Sequence, residues 1–222
     1  METAVKLENI CKKFKNEEVL RDVSAEFKKG MIYGIVGKNG SGKTVMFKVI
    51  AGLLKPNSGR VYVNGKEVGK DTDFAQDMGL IIETPGFLPQ YTAYKNLEYL
   101  ASIRHQISKE QIKDAIRMVG LDPDSKKKVG KFSLGMRQRL GIAQAVMENP
   151  SLIILDEPMN GLDKNGIRDV KEILYKLKAE GKTILMASHY AEDTEVCDEI
   201  YEMDGGVLRF APELKVSPQG MS

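Results

Sequence analysis

Cysteine is scarce in this chain of 222 residues: Cys11 and Cys197 are the only two, far apart and without ligand-like spacing. That excludes a disulfide framework or a cysteine zinc site and fits a reducing compartment. No apolar run approaches the roughly 18 residues that cross a bilayer. The N-terminal METAVKLENI is charged where a secretory signal has its apolar core. Excess charge is missing too. With 33 Lys and Arg against 31 Asp and Glu, the net charge of +2 does not point to nucleic acid or to a membrane surface. The one basic run, Lys126-Lys127-Lys128, reads as a solvated loop. Internal repeats, linkers and low-complexity segments are lacking. What remains, 42% hydrophobic and 29% charged, is the profile of a soluble globular protein with one large domain, or a domain with an inserted subdomain. Any membrane role is then expected to come through a partner.

Residues 4–36 read as three strands, the last (MIYGIV) running into GKNGSGKT. A helix over 44–54 is predicted to stop before Pro56. GRVYVNGKEV reads as strand and tight Asn64-Gly65 turn, and residues 78–82 as a short strand. From Thr92 to about Gly120 the period is helical. Leu97, Leu100 and Ile103 or Arg104 form one stripe, and Ser108 with Gln111 makes a capping box for a second helix. FSLGMRQRLGIAQAVM predicts a further helix with Leu140, Ile142, Ala143 and Val146 inside. Then come strand LIIL, a helix over 165–180, strand 183–186, a short helix near Glu192, and strands near 200–203 and 207–210. The pattern implies an α/β fold with a mainly parallel sheet. The stretch 92–147 breaks the alternation and marks a helical subdomain, with 1–91 and 148–222 as the core. The tail APELKVSPQGMS shows no periodicity.

Two features carry chemistry. Gly37-Lys38-Asn39-Gly40-Ser41-Gly42-Lys43-Thr44 matches G-x-x-x-x-G-K-[ST] between a strand and a helix. The glycines let backbone N–H groups curl around phosphate oxygens, and the helix N-terminus adds a favourable dipole. Lys43 would place its charge on the β- and γ-phosphates of a nucleoside triphosphate, and the Thr44 hydroxyl would ligate Mg²⁺. The second is LIILDE: four apolar residues suit a strand covered on both faces, yet it ends in two adjacent acids, Asp156 and Glu157. Asp156 is expected to act on the magnesium side. Glu157, one residue on, would polarise a water for attack on the γ-phosphorus.

GKNGSGKT, FSLGMRQRL, LIILDEP, NGLD and the His189 of MASHY occur in the order and spacing of an ABC-transporter ATP-binding subunit, which the chain resembles from Val5 to about Phe210. The resemblance implies a P-loop core with an N-terminal antiparallel β subdomain and the inserted helical subdomain. It implies Mg-dependent ATP hydrolysis driving an integral membrane permease from the cytoplasmic face. It also implies that Ser133 and Gly135 grip the ATP of a second subunit in a head-to-tail pair, a homodimer being expected. The family signature Leu-Ser-Gly-Gly-Gln is here Phe132-Ser133-Leu134-Gly135-Met136, without the first Gly and the Gln. Asp163 resembles the aspartate that communicates between sites, and His189 the histidine that contacts the γ-phosphate and steadies Glu157. Phe14 sits where an aromatic ring stacks on adenine, or else packs under the sheet edge.

Where the family normally has a glutamine, this chain has Glu83. A carboxylate there can ligate magnesium at least as well as an amide oxygen. Glu83 together with the FSLGMRQRLGIA signature resembles the bacitracin- and lantibiotic-resistance branch, which implies export of peptide antibiotics or other drugs. Phe87, Tyr91, Tyr94 and Tyr99 either line a groove for a cytoplasmic helix of the permease or form the subdomain's own core, Phe87 and Tyr91 being the expected exposed pair. A non-transport ABC ATPase acting on a cytoplasmic macromolecular complex stands as the alternative. A GTPase would need an Asn-Lys-x-Asp motif, which is absent.

Overall fold

The computed structural model describes residues 2–15, 17–83 and 86–215. Its centre is a six-stranded sheet built from β3 (Ile32–Val36), β6 (Met78–Ile81), β7 (Leu152–Asp156), β8 (Thr183–Ser188), β9 (Glu199–Asp204) and β10 (Val207–Phe210). The spatial order is β10-β9-β3-β8-β7-β6, parallel throughout except for β10 against β9. A second, antiparallel sheet of order β2-β1-β4-β5 is formed by β1 (Thr3–Phe14), β2 (Glu17–Lys28), β4 (Ser58–Val63) and β5 (Lys66–Glu67). Asn64 and Gly65 both take positive φ in the β4–β5 turn, the geometry of a tight hairpin.

Strands β3, β7 and β8 are buried at every position, and alternate residues feed two cores. Leu152 and Ile154 join the antiparallel sheet and α1 (Lys43–Ile50) around Phe27, Tyr33 and Phe47. Ile153 and Leu155 join the other face, covered by α2 (Ala93–Arg104), α3 (Lys109–Met118), α4 (Leu134–Val146) and α5 (Lys164–Ala179). This double covering is why the parallel strands read as unbroken apolar runs. Each such Leu or Ile contributes about 1.5–3 kcal/mol by burial.

The expected elements are present with some local corrections. The helix after the phosphate loop stops at Ile50, not at 54: Gly52 takes φ 82° and turns the chain before Pro56 is reached. On α2 the buried stripe is Ala93, Leu97 and Ala101, whereas Ile103 is 75% exposed. Leu100 of the expected stripe packs half-buried against this core as well, so only its Ile103 end is overturned. The Ser108–Gln111 capping box is formed in both directions. Phe87 packs half-buried against the large core and Tyr91 is half-buried too; Leu88 and Tyr99 are the exposed large apolar side chains between 86 and 99. Tyr99 meets Tyr91 edge to face, with centroids 5.3 Å apart. In the tail, Pro212–Leu214 forms a short 3₁₀ turn, and residues 216–222 lie outside the described residues.

Candidate nucleotide site

The C-terminal ends of β3, β7 and β8 lie side by side, where open α/β sheets bind ligands. The register sets Val36 beside Ser188 and Asp156 beside Ala187. Gly37, Glu157 and His189, the next residues on each strand, therefore converge, although 152 positions separate the first from the last.

The phosphate loop needs glycine for two different reasons. A Cβ on Gly37 would lie 2.2 Å from the Met203 carbonyl oxygen, so no side chain fits. Gly42 has φ 113° and sits against the Val19 carbonyl, a backbone that L side chains rarely adopt. Lys43 opens α1, is 4% exposed, and donates to the carbonyls of Gly37 (2.6 Å) and Lys38 (3.1 Å). Burial lowers its pKa, opposed by the charges of Glu157 and Asp156.

Thr44 Oγ donates to Asp156 Oδ2 at 2.6 Å. Burial, at 6% exposure, raises the Asp156 carboxyl above its ordinary value; the Thr44 bond lowers it, and the Glu157 charge raises it further. An acid with a raised folded-state pKa takes up its proton before the unfolded chain does, so stability rises as pH falls through that pKa towards the unfolded value. At neutral pH the charged form burdens the fold. Asp156→Asn is accordingly expected to raise the melting temperature while abolishing metal-dependent turnover; calorimetry and phosphate release check the two halves.

Glu157 lies beyond the strand with φ 55°. Its Oε1 is 2.5 Å from His189 Nε2, and its Oε2 accepts from Asn160 Nδ2 at 3.1 Å. His189 Nδ1 is 3.4 Å from the Lys43 ammonium and 3.2 Å from the Gly37 carbonyl. Nε2 thus donates to the Glu157 carboxylate, whose oxygens only accept, while Nδ1 lies between a donor, Lys43, and an acceptor, the Gly37 carbonyl. Asn160, the first residue of NGLD, and Gln138, inside FSLGMRQRL, carry no assigned role in the sequence; Gln138 Nε2 donates to the Glu157 carbonyl at 3.2 Å, a contact that no spacing announces.

Thr44, Glu83, Asp156 and Glu157 line one cavity of about 390 Å³ with Leu134, Gln138 and Asn160. Glu83 is exposed and paired with Lys48 of α1 at 2.9 Å, one turn on from Thr44. Phe14 stands apart, 42% exposed at the end of β1 under the Lys12 ammonium. Ser133 caps α4 by accepting from Met136 N, and Asp163 caps α5 by accepting from Gly166 N at 2.8 Å. Neither Ser133, Gly135 nor Asp163 lines that cavity.

Among the described residues, two buried side-chain oxygens lack a hydrogen-bond partner, Asp156 Oδ1 and Ser41 Oγ, and both belong to this site. A hard-oxygen donor set of Thr44 and Asp156 fits Mg²⁺. No group of three or more His, Cys, Asp or Glu forms a metal cage among the described residues.

Residues 20–160 match the model of the family described as ABC transporter. This chain belongs to the ABC transporter family. An uncharacterized ABC transporter ATP-binding protein of Bacillus subtilis, YybJ, is 45% identical over 90% of this ABC cassette and 92% of its own length. The bacitracin transport ATP-binding protein BcrA of Enterococcus faecalis is 40% identical over 94% of the cassette and 68% of its own length, and lantibiotic transport ATP-binding proteins of Streptococcus pyogenes are also relatives. The expected kinship with that branch is therefore present. A dimeric ATP-binding cassette, MJ0796, solved with ADP and Pi, superposes with a TM-score of 0.82 at 25% identity, covering 98% of this cassette and 100% of that chain. The cassette is the ATP-binding subunit of an ABC transporter, and among its described residues no helix is long and apolar enough to cross a membrane.

Proposed function

We propose that this cassette hydrolyses Mg-ATP as a head-to-tail pair of identical subunits and drives a separate membrane permease, at the cytoplasmic face, that exports peptide antibiotics. The observation that carries the reading is the contact of His189 with Glu157 at 2.5 Å, beside the phosphate-loop Lys43 and the Thr44–Asp156 pair. Glu157 accepts the proton of the attacking water. The new P–O bond forms as the bond to the β-phosphate oxygen breaks, leaving ADP and phosphate. His189 keeps the carboxylate aimed, and Lys43 meets the charge on the phosphates. Thr44 and Asp156, with Glu83 beside them, would hold Mg²⁺, which neutralises phosphate charge when bound.

Ser133 is exposed and lines no part of its own chain's cavity. A second copy supplies the phosphate for it to grip, along with Gly135, while Asp163 faces the junction between copies. In this reading residues 92–147 are the helical lobe that presents Ser133, and 1–91 with 148–222 the nucleotide-binding core. The export of peptide antibiotics rests on the bacitracin- and lantibiotic-named relatives. Light scattering on protein with blocked turnover tests the pairing: Mg-ATP should double the mass, and solitary protomers at saturating nucleotide refute it.

Glu83 gives a prediction of its own. The Lys48 pair holds one of three carboxylates facing the cavity, so its removal alters how strongly that cavity attracts a divalent cation. Glu83→Gln is expected to shift the Mg²⁺ concentration for half-maximal turnover several-fold. An unchanged titration and rate make Glu83 a bystander.

A further inference from the structure

Gln138 lies inside FSLGMRQRL but outside the Ser133 and Gly135 pair given a role there, and it touches the residue on which turnover depends under the proposed function. It sits on α4, about one and a half turns beyond Ser133, and its amide donates to the main-chain carbonyl of Glu157 at 3.2 Å. That carbonyl belongs to a non-glycine residue with φ 55°, a left-handed backbone that costs on the order of 1 kcal/mol and persists only where neighbours impose it. Three bonds do so. Glu157 N–H donates to the Ala187 carbonyl at 3.1 Å, Asn160 N–H donates to the Glu157 carbonyl at 3.2 Å, and Gln138 supplies the third. The first comes from the adjacent strand and the second from Glu157's own loop. Gln138 alone reaches across from another helix.

The carboxylate of Glu157 can point at a γ-phosphate only if its peptide is held in this unusual orientation. We propose that Gln138 is a positioning residue for Glu157, and that it ties the seating of α4, and with it Ser133, to the aim of the water-activating carboxylate. The inference rests on the proposed role of Glu157. Packing points the same way: Leu134 of α4 crowds Gly161, where an added Cβ would lie 2.9 Å from the leucine Cδ2. Helix and loop are therefore in close contact at a second point.

Gln138→Leu keeps the volume and removes the donor. Gln138→Glu keeps the shape and sets an acceptor against the carbonyl. Misplacement of a catalytic group by about 1 Å can cost up to 10²-fold. The expected result is a kcat lower by about 10-fold in the Leu variant and more in the Glu variant, with KM for ATP unchanged within about twofold. The deciding measurement is a double-mutant cycle with Glu157→Gln under single-turnover conditions. A residue acting through the carboxylate has nothing left to act on once that carboxylate is gone, so Gln138→Leu should add no further loss. Should the Leu variant not fold, the Glu variant carries the same cycle. Wild-type kcat in both variants, or a full additive loss in the cycle, overturns the inference while leaving Glu157's role intact. A wild-type rate in Glu157→Gln alone overturns both.

Discussion

Glu157→Gln is expected to lower steady-state ATP turnover by about 10²- to 10⁴-fold, the range a general base contributes, while ATP binds as before. The substitution is close to isosteric and its consequences are local. The amide oxygen can still accept from His189 Nε2 or from Asn160 Nδ2, which hold the carboxylate at 2.5 and 3.1 Å, and the main-chain bonds to Ala187 and Asn160 are untouched. What is lost is the basicity that takes a proton from water. The phosphate loop, Thr44 and Asp156 keep their places, so nucleotide affinity should change less than about threefold, because the contacts that bind the ground state remain. Phosphate release and fluorescent-nucleotide titration on one preparation separate the two quantities. A variant that turns over at the wild-type rate removes Glu157 from the role of base.

The second large effect is on binding. Lys43→Ala should weaken ATP affinity by about 100-fold or more. Truncating one partner of a buried, hydrogen-bonded charge pair costs about 2–5 kcal/mol, and each 1.4 kcal/mol is a factor of ten. The ammonium is almost wholly buried, donates to two carbonyls of the loop, and lies 3.9 Å from Glu157. Burial lowers its pKa, so the fold already bears a desolvated charge there, and its removal should leave the melting temperature within a few degrees. Lys43→Arg should not restore binding, since a planar fork cannot occupy the space of a compact ammonium at the end of a straight stem. Calorimetric titration with ATP decides. Unchanged affinity in the Ala variant would falsify the placement of the phosphates over this loop.

The phosphate loop was legible because Gly37 and Gly42 fall within one run of eight residues with a known pattern, although the carbonyls that crowd them, of Met203 and Val19, are distant in the chain. The buried strand before Asp156 was legible because a strand covered on both faces requires apolar residues at every position. Less was legible where two faces compete. Ile103 has the spacing of a core residue, but the face of α2 that carries Leu97 and Ala101 joins the core shared with α3 and α4 and leaves Ile103 in water. The stop at Gly52 was hidden behind the stronger signal of Pro56, although a glycine with positive φ ends a helix before a later proline can act.

By itself the sequence determined the parts that show within a short run of residues: the glycine cradle, the buried strand that ends in two acids, the capping box at Ser108, and the alternation of strands with helices. Only the tertiary structure decided which side chains face one another across it. Parallel register brought His189 onto Glu157, helix seating brought Gln138 to the same residue's backbone, and the turn of α1 brought Lys48 to Glu83. A hydrogen bond between residues 19 or 35 positions apart leaves no periodic trace in either partner, because its distance is set by the packing of whole elements.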